Sequence, residues 1–157
     1  MKHDRFLTGI LIGIAVLIGA ALIVFFTHKS AQTYALEDTP EGVVHNYILA
    51  VMNKDYEKAY AYLADLEHKP TFSDFHRAFS IGMLSPSNAG VKVGASEVTG
   101  DDATVQISMI YAPGDPFSAG YSNAGLAQLA KQDGSWKIAS MPAYNFWDYS
   151  WYQSPPK

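Results

Sequence analysis

The 157-residue chain contains no cysteine. That excludes disulfides, thiol catalysis, cysteine-ligated zinc or iron–sulfur sites, and lipid attachment through a cysteine. It says little about compartment, because a domain of about 120 residues can bury a sufficient core without staples. No GxGxxG, Walker A or GxSxG run occurs, and no HExxH spacing. Neither an internal repeat nor a low-complexity tract is present. Basic charge is scarce: beyond residue 29 there are 8 basic side chains against 14 acidic ones, a net charge near −6. Such a region has no electrostatic ground for binding nucleic acid and is mildly repelled by anionic headgroups. No metal and no cofactor are expected.

What is present first is one long apolar run. Leu7 to Phe26 reads LTGILIGIAVLIGAALIVFF, without charge or proline, and 13 of its 20 residues are Leu, Ile, Val or Phe. At about 1.5 Å per residue it is about 30 Å long as a helix, matching a bilayer's hydrocarbon core. No side of the run is polar, which argues against a buried core helix. A cleaved leader is the alternative, with Thr33-Tyr34-Ala35 as a poor cleavage site. The run exceeds the leader core of about 7–15 residues, however, and is closed by His28 and Lys29. Lys2 and Arg5 precede it, while Glu37, Asp38 and Glu41 follow soon after Lys29. This bias places the N-terminus in the cytoplasm and the remainder outside. The expected localisation is therefore the cell membrane, single-pass, with an extracytoplasmic domain. Membrane lipid is the partner of Leu7 to Phe26, and the Gly9/Gly13 spacing permits a homodimer of such helices.

The expected division is a short cytoplasmic end (1–6), the spanning helix (7–26), a polar linker (27–38), a folded domain (39–141) and an aromatic tail (142–157). Within the domain, Thr39 reads as an N-cap followed by Pro40 at the first helical position. Val44, Tyr47, Ile48 and Val51 then mark one buried face. Asp55 reads as a second N-cap ahead of Tyr56, Ala59, Tyr60 and Leu63. A short third helix is expected over 73–81, with Phe75 and Phe79 on one side. The period then changes to two. Strands are expected over 91–98, 103–111, 122–131 and 135–141, with tight turns at Gly100-Asp101-Asp102 and Asp133-Gly134. Helices first and antiparallel strands later define an α+β class: about three helices packed on a curved antiparallel sheet, behind an N-terminal transmembrane helix.

Thr39-Pro40-Glu41-Gly42-Val43-Val44, Tyr47, and Asn53-Lys54-Asp55-Tyr56-Glu57-Lys58-Ala59-Tyr60 resemble the opening helices of the nuclear-transport-factor-2-like superfamily. Ser73-Asp74-Phe75-His76-Arg77-Ala78-Phe79 is a partial match to its third helix. Asp133-Gly134-Ser135-Trp136-Lys137-Ile138 resembles its last hairpin. The resemblance implies the cone-shaped fold shared with ketosteroid isomerases and SnoaL-like cyclases, over residues 39 to about 141, and it implies no single activity. Enzymatic branches place a buried Asp or His base and a Tyr or Asp donor in the cone, and no such pair falls on numbered positions here. The chain is more similar to membrane-tethered bacterial members of unknown function. Its plan also resembles inner-membrane scaffold components of secretion systems.

Candidate chemistry is thin. His45, on the first domain helix, is the one weak candidate for a general base. His68 reads as a loop residue. His76 and Asp74 are two apart on a helix and so point apart. The 112–121 loop reads as turn chemistry that would border a pocket mouth. Ligand or partner contacts are expected at Tyr47, Tyr60, Phe146, Trp147, Tyr149, Trp151 and Tyr152, since Trp and Tyr concentrate at such surfaces. The aromatic tail has three open readings: a cover for the helices or the cone, a surface for a protein partner or small hydrophobic ligand, or a membrane-interface contact. The leading expectation is non-catalytic binding or assembly outside the membrane. The alternative is a small-molecule binder, or a ketosteroid isomerase-like or SnoaL-like enzyme, that uses the cone as its pocket.

Overall fold

A computed structural model describes residues 5–27, 33–86, 89–111, 120–142 and 145–153. The chain forms two compact units, Met1–Thr33 and Tyr34–Lys157.

The first unit holds α1 (Arg5–Thr27), 23 residues long. From Leu7 to Ile23 its apolar side chains are largely exposed, Leu17 at 70%. The spanning helix expected over Leu7–Phe26 falls inside α1. Even so, among the described residues no helix is long and apolar enough to cross a membrane.

In the second unit, α2 (Pro40–Met52), α3 (Tyr56–Ala61) and α4 (Phe72–Ser80) precede β1 (Ala89–Thr99), β2 (Asp102–Tyr111), β3 (Tyr121–Gln132) and β4 (Ser135–Ser140). The caps do what their residue types allow. Thr39 Oγ1 accepts from Gly42 N at 3.1 Å, and Asp55 Oδ1 accepts from Lys58 N at 3.2 Å. The third domain helix starts one residue earlier than expected, at Phe72, because Thr71 caps it and accepts from Asp74 N at 3.2 Å.

The strands form one antiparallel sheet in the order β1-β2-β3-β4. Register shifts between Val93 and Ser96 in β1, and at Ala139 of β4 opposite the Gln128–Leu129 step of β3, are the bulges that curve it. At Asp133-Gly134 both residues have positive φ, 50° and 78°, as a two-residue hairpin turn requires. The exposed edge of β4 is covered by the segment after α3: Leu63 bridges Ile138 in parallel, with Ala64 N donating to Ile138 O at 2.9 Å.

Alternation along β2 puts Val105, Ile107 and Met109 inside, joined by Leu129 and Ile138, against Val44, Tyr47 and Val51 of α2. This α+β arrangement of helices on a curved four-stranded sheet fits a cone fold.

Two expected boundaries move. The linker expected over 27–38 is docked from Tyr34 onward. Asn46, fully buried, accepts from Ala35 N at 2.7 Å and donates to Ala35 O at 3.0 Å. Tyr62 Oη donates to Glu37 at 2.6 Å, and Lys58 Nζ lies 3.4 Å from the centre of the Tyr34 ring. The tail expected to begin after 141 is equally integral, since Phe146, Trp147 and Trp151 are buried in the same core.

Candidate functional site

The interior between the helices and the sheet is where a cone-type protein would hold a ligand. Here α2 aims Tyr47 into it, fully buried, and the tail supplies the opposite wall. Tyr47 Oη donates to Phe146 O at 2.6 Å. Its ring meets Phe75 and Trp147 edge-on, with centres 6.5 and 6.3 Å apart. Trp151 packs on Phe75 at 5.0 Å and on Trp147 at 5.1 Å. The Phe75–Trp151 pair is tilted, and the others are edge-to-face; aromatic pairs of these kinds each add about 0.5–1.5 kcal/mol beyond area burial. Of the seven contact residues expected from the sequence, Tyr47, Phe146, Trp147 and Trp151 therefore stand inside the core, out of a ligand's reach while the tail is seated.

The other three lie nearer the surface. Tyr60 donates to Pro70 O at 2.9 Å, under Lys69 Nζ at 4.7 Å from its ring centre. Tyr152 stacks on Trp147 at 5.9 Å and donates to Ala64 O at 2.6 Å. Its backbone N donates to His68 O at 3.2 Å, which closes the tail onto the loop before α4. Tyr149 is exposed, and its hydroxyl donates to Pro142 O at 3.3 Å. Tyr144 lies outside the described residues, as does 112–119 of the expected loop.

The electrostatics favour neutral, structural phenols. Burial, with a lesser contribution from Tyr152, holds Tyr47 well above the usual tyrosine value. Tyr62 is raised by burial and then by its bond to Glu37, and Tyr152 by burial first. Burial likewise lowers Lys69. His45 is half-buried on α2, one position from the inward-facing Asn46. Glu41 Oε2 is buried without a hydrogen-bond partner among the described residues. It sits in the first turn of α2. No group of three metal-ligating side chains occurs among the described residues.

Among the described residues a depression of about 340 Å³ lies on the inner face of the sheet. Ile107, Met109 and Tyr111 of β2 line it, with Asn123 and Gly125 of β3 and Tyr149 of the tail. Tyr111 and Tyr121 stack beside it at 4.6 Å. Gly125 is required there, since a Cβ would lie 2.6 Å from Pro142 Cγ. Sequence reading missed Asn123 and Gly125, because Gly125 and the neighbouring alanines looked only like a weak strand. The broken alternation was the available signal.

Fold and site together define an α+β cone with a largely filled interior. No family model matches the chain, and no curated protein matches it. Solved structures of similar shape exist. A putative calcium/calmodulin-dependent protein kinase type II association domain from Thiobacillus denitrificans is 14% identical, over 67% of this chain and 93% of its own, with a TM-score of 0.49. An NTF2-like protein of unknown function from Pseudomonas putida is 18% identical, over 65% and 80%, with a TM-score of 0.47. A putative NTF2-like transpeptidase from Campylobacter jejuni is 13% identical, over 66% and 99%, with a TM-score of 0.44. Every one of these scores is under 0.5, so none carries an argument about function. The fold rests on the topology described above.

Proposed function

We propose that the chain is a single-pass membrane protein whose outer domain is a nuclear-transport-factor-2-like module for non-catalytic binding or assembly. One observation supports the non-catalytic part most. Aromatic side chains fill the interior, and the Tyr47 hydroxyl, the best-placed buried donor, is spent on Phe146 O. The anchor is supported by the uncharged run Leu7 to Phe26 and by the exposed apolar side chains of α1. The orientation, short end inside, follows from Lys2 and Arg5 against the acidic residues that follow the run. Gly9 and Gly13 have open space around them and would let two such helices approach closely. Crosslinking in membranes, with Gly9→Leu and Gly13→Leu variants, tests that dimer.

Incubation of the full chain with small ketosteroid-like carbonyl substrates tests the reading. No turnover is expected, and His45→Ala should change nothing. Turnover that is lost in His45→Ala would overturn it. A second reading, small-molecule binding inside the cone, is favoured by the depression at Met109 and Asn123, whose size is at the lower end for ligand sites.

A further inference from the structure

A separate depression of about 610 Å³ opens where α2 and α4 end. Val51 and Met52 close one side, and Lys54 and Tyr56 line the turn into α3. Phe79 and Leu84 line the depression as well, and Tyr56 stacks on Phe79 at 5.2 Å and 17°. The volume lies well inside the range of small-molecule sites, about 300–1,000 Å³. Its remaining described lining consists of serines, a glycine and a proline, so Lys54 is the one charged residue among the described lining residues. Lys54 is held in the left-handed region at φ 61°, a conformation that favours glycine. The domain around it carries an excess of acidic groups, yet no described carboxylate lines this depression. Asp55 and Glu57 instead line the adjoining one with His76, and Lys54 and Tyr56 stand on the ridge between the two, lining both.

We propose that this depression binds a small apolar molecule carrying a carboxylate. The apolar body lies against Tyr56, Phe79 and Leu84, and the carboxylate sits at the Lys54 ammonium. The apolar walls supply the affinity, because they remove ligand surface from water. The ammonium selects the sign of the ligand's charge. Lys54 is exposed, so water and the carboxylates next door hold that selection to a few-fold. The proposal deepens the binding reading above and rests on it. It is independent of the membrane anchor.

The test uses the full chain in zwitterionic lipid nanodiscs, titrated with 4-phenylbutyrate and with 4-phenylbutylamine. Binding is followed by saturation-transfer NMR, and empty discs subtract lipid partitioning. Saturable binding is expected, about threefold tighter for the carboxylate than for the amine, the range of an exposed ion pair. Lys54→Glu should reverse the order. Lys54→Gly, which suits the left-handed backbone and keeps the fold, should bring the two ligands level. Ser85→Trp fills the depression from an exposed position and should abolish saturable binding of both. The proposal is overturned if the unsubstituted chain gives no saturable phenylbutyrate signal above empty discs. It is also overturned by an order that survives Lys54→Glu, or by binding that survives Ser85→Trp. Those failures would leave the anchored-module reading standing, because turnover and lipid association are measured separately. Conversion of the ligand would instead uphold the site and overturn the non-catalytic reading.

Discussion

In α2, ten of thirteen residues are buried, including Asn46 and Gly42. In α1 the side chains from Leu7 to Ile23 are exposed apart from the half-buried Gly19, although nearly all are apolar. Both helices are hydrophobic, but only α2 carries marks of the surfaces that cover it. Gly42 leaves room for the Leu36 carbonyl, Asn46 pairs with Ala35, and Tyr47 reaches the tail. Each of these side chains makes sense only against a specific neighbour in the same chain. In α1 no charged residue marks one side against another between Leu7 and Ile23, and the small residues Gly9 and Gly13 meet no neighbour within 4 Å, which suits an apolar solvent such as a bilayer better than a shaped surface of the same chain. The difference teaches that apolar content alone does not assign a helix to a core. The polar and small residues inside the run do.

The largest expected effect lies on the α2 side of that contrast. Phe146→Ala removes a fully buried ring from the core that α2 packs on and should cost about 3–5 kcal/mol, seen as a lower denaturation midpoint of the domain. A loss under about 1 kcal/mol would mean that the tail does not belong to the core. Gly42→Ala should cost about 1–3 kcal/mol, because the new methyl overlaps the Leu36 carbonyl and forces the docked segment away from α2. Loss of the Ala35–Asn46 pairing in amide exchange would accompany it. Tyr47→Phe should cost about 1–3 kcal/mol at the low end, by leaving the buried Phe146 carbonyl without its donor.

The smallest effect is on pH dependence. Tyr47, Tyr62 and Tyr152 hold their protons in the folded state beyond the usual value, so the unfolded chain loses them first. The stability they contribute is complete below about pH 10 and falls as the pH rises further. Phenolate absorbance should therefore rise in two stages above pH 10. The later stage should coincide with loss of near-ultraviolet circular dichroism, and a single early stage would contradict the buried hydroxyls.

Much of the fold was legible in local pattern. Thr39, Asp55 and Asp133-Gly134 each act through their own backbone neighbours, so their roles can be read without tertiary context. Val105, Ile107 and Met109 announce a half-buried strand by period alone. The docked segment and the tail were not legible in the same way. Ala35–Asn46 and Tyr47–Phe146 join residues 11 and 99 positions apart, and nothing local marks either partner. The same limit governs the candidate sites. Tyr and Trp in the tail looked like a contact surface, since their composition is the same whether they face a partner or a core. Lys54 stood out only as part of the stretch that resembles the superfamily's opening helices, and its place beside an apolar depression depends on the separate ends of α2 and α4.

The contrast between the two helices is tested most directly by flotation of the full chain with liposomes through a density gradient after an alkaline carbonate wash. The unsubstituted chain should float with the lipid. Leu17→Arg, which costs about 3 kcal/mol at the centre of a spanning helix, should shift it toward the bottom fraction while leaving the domain's denaturation midpoint unchanged. Recovery of the unsubstituted chain in the lipid-free fractions, as folded protein, would contradict the anchor and with it the proposed place of the domain.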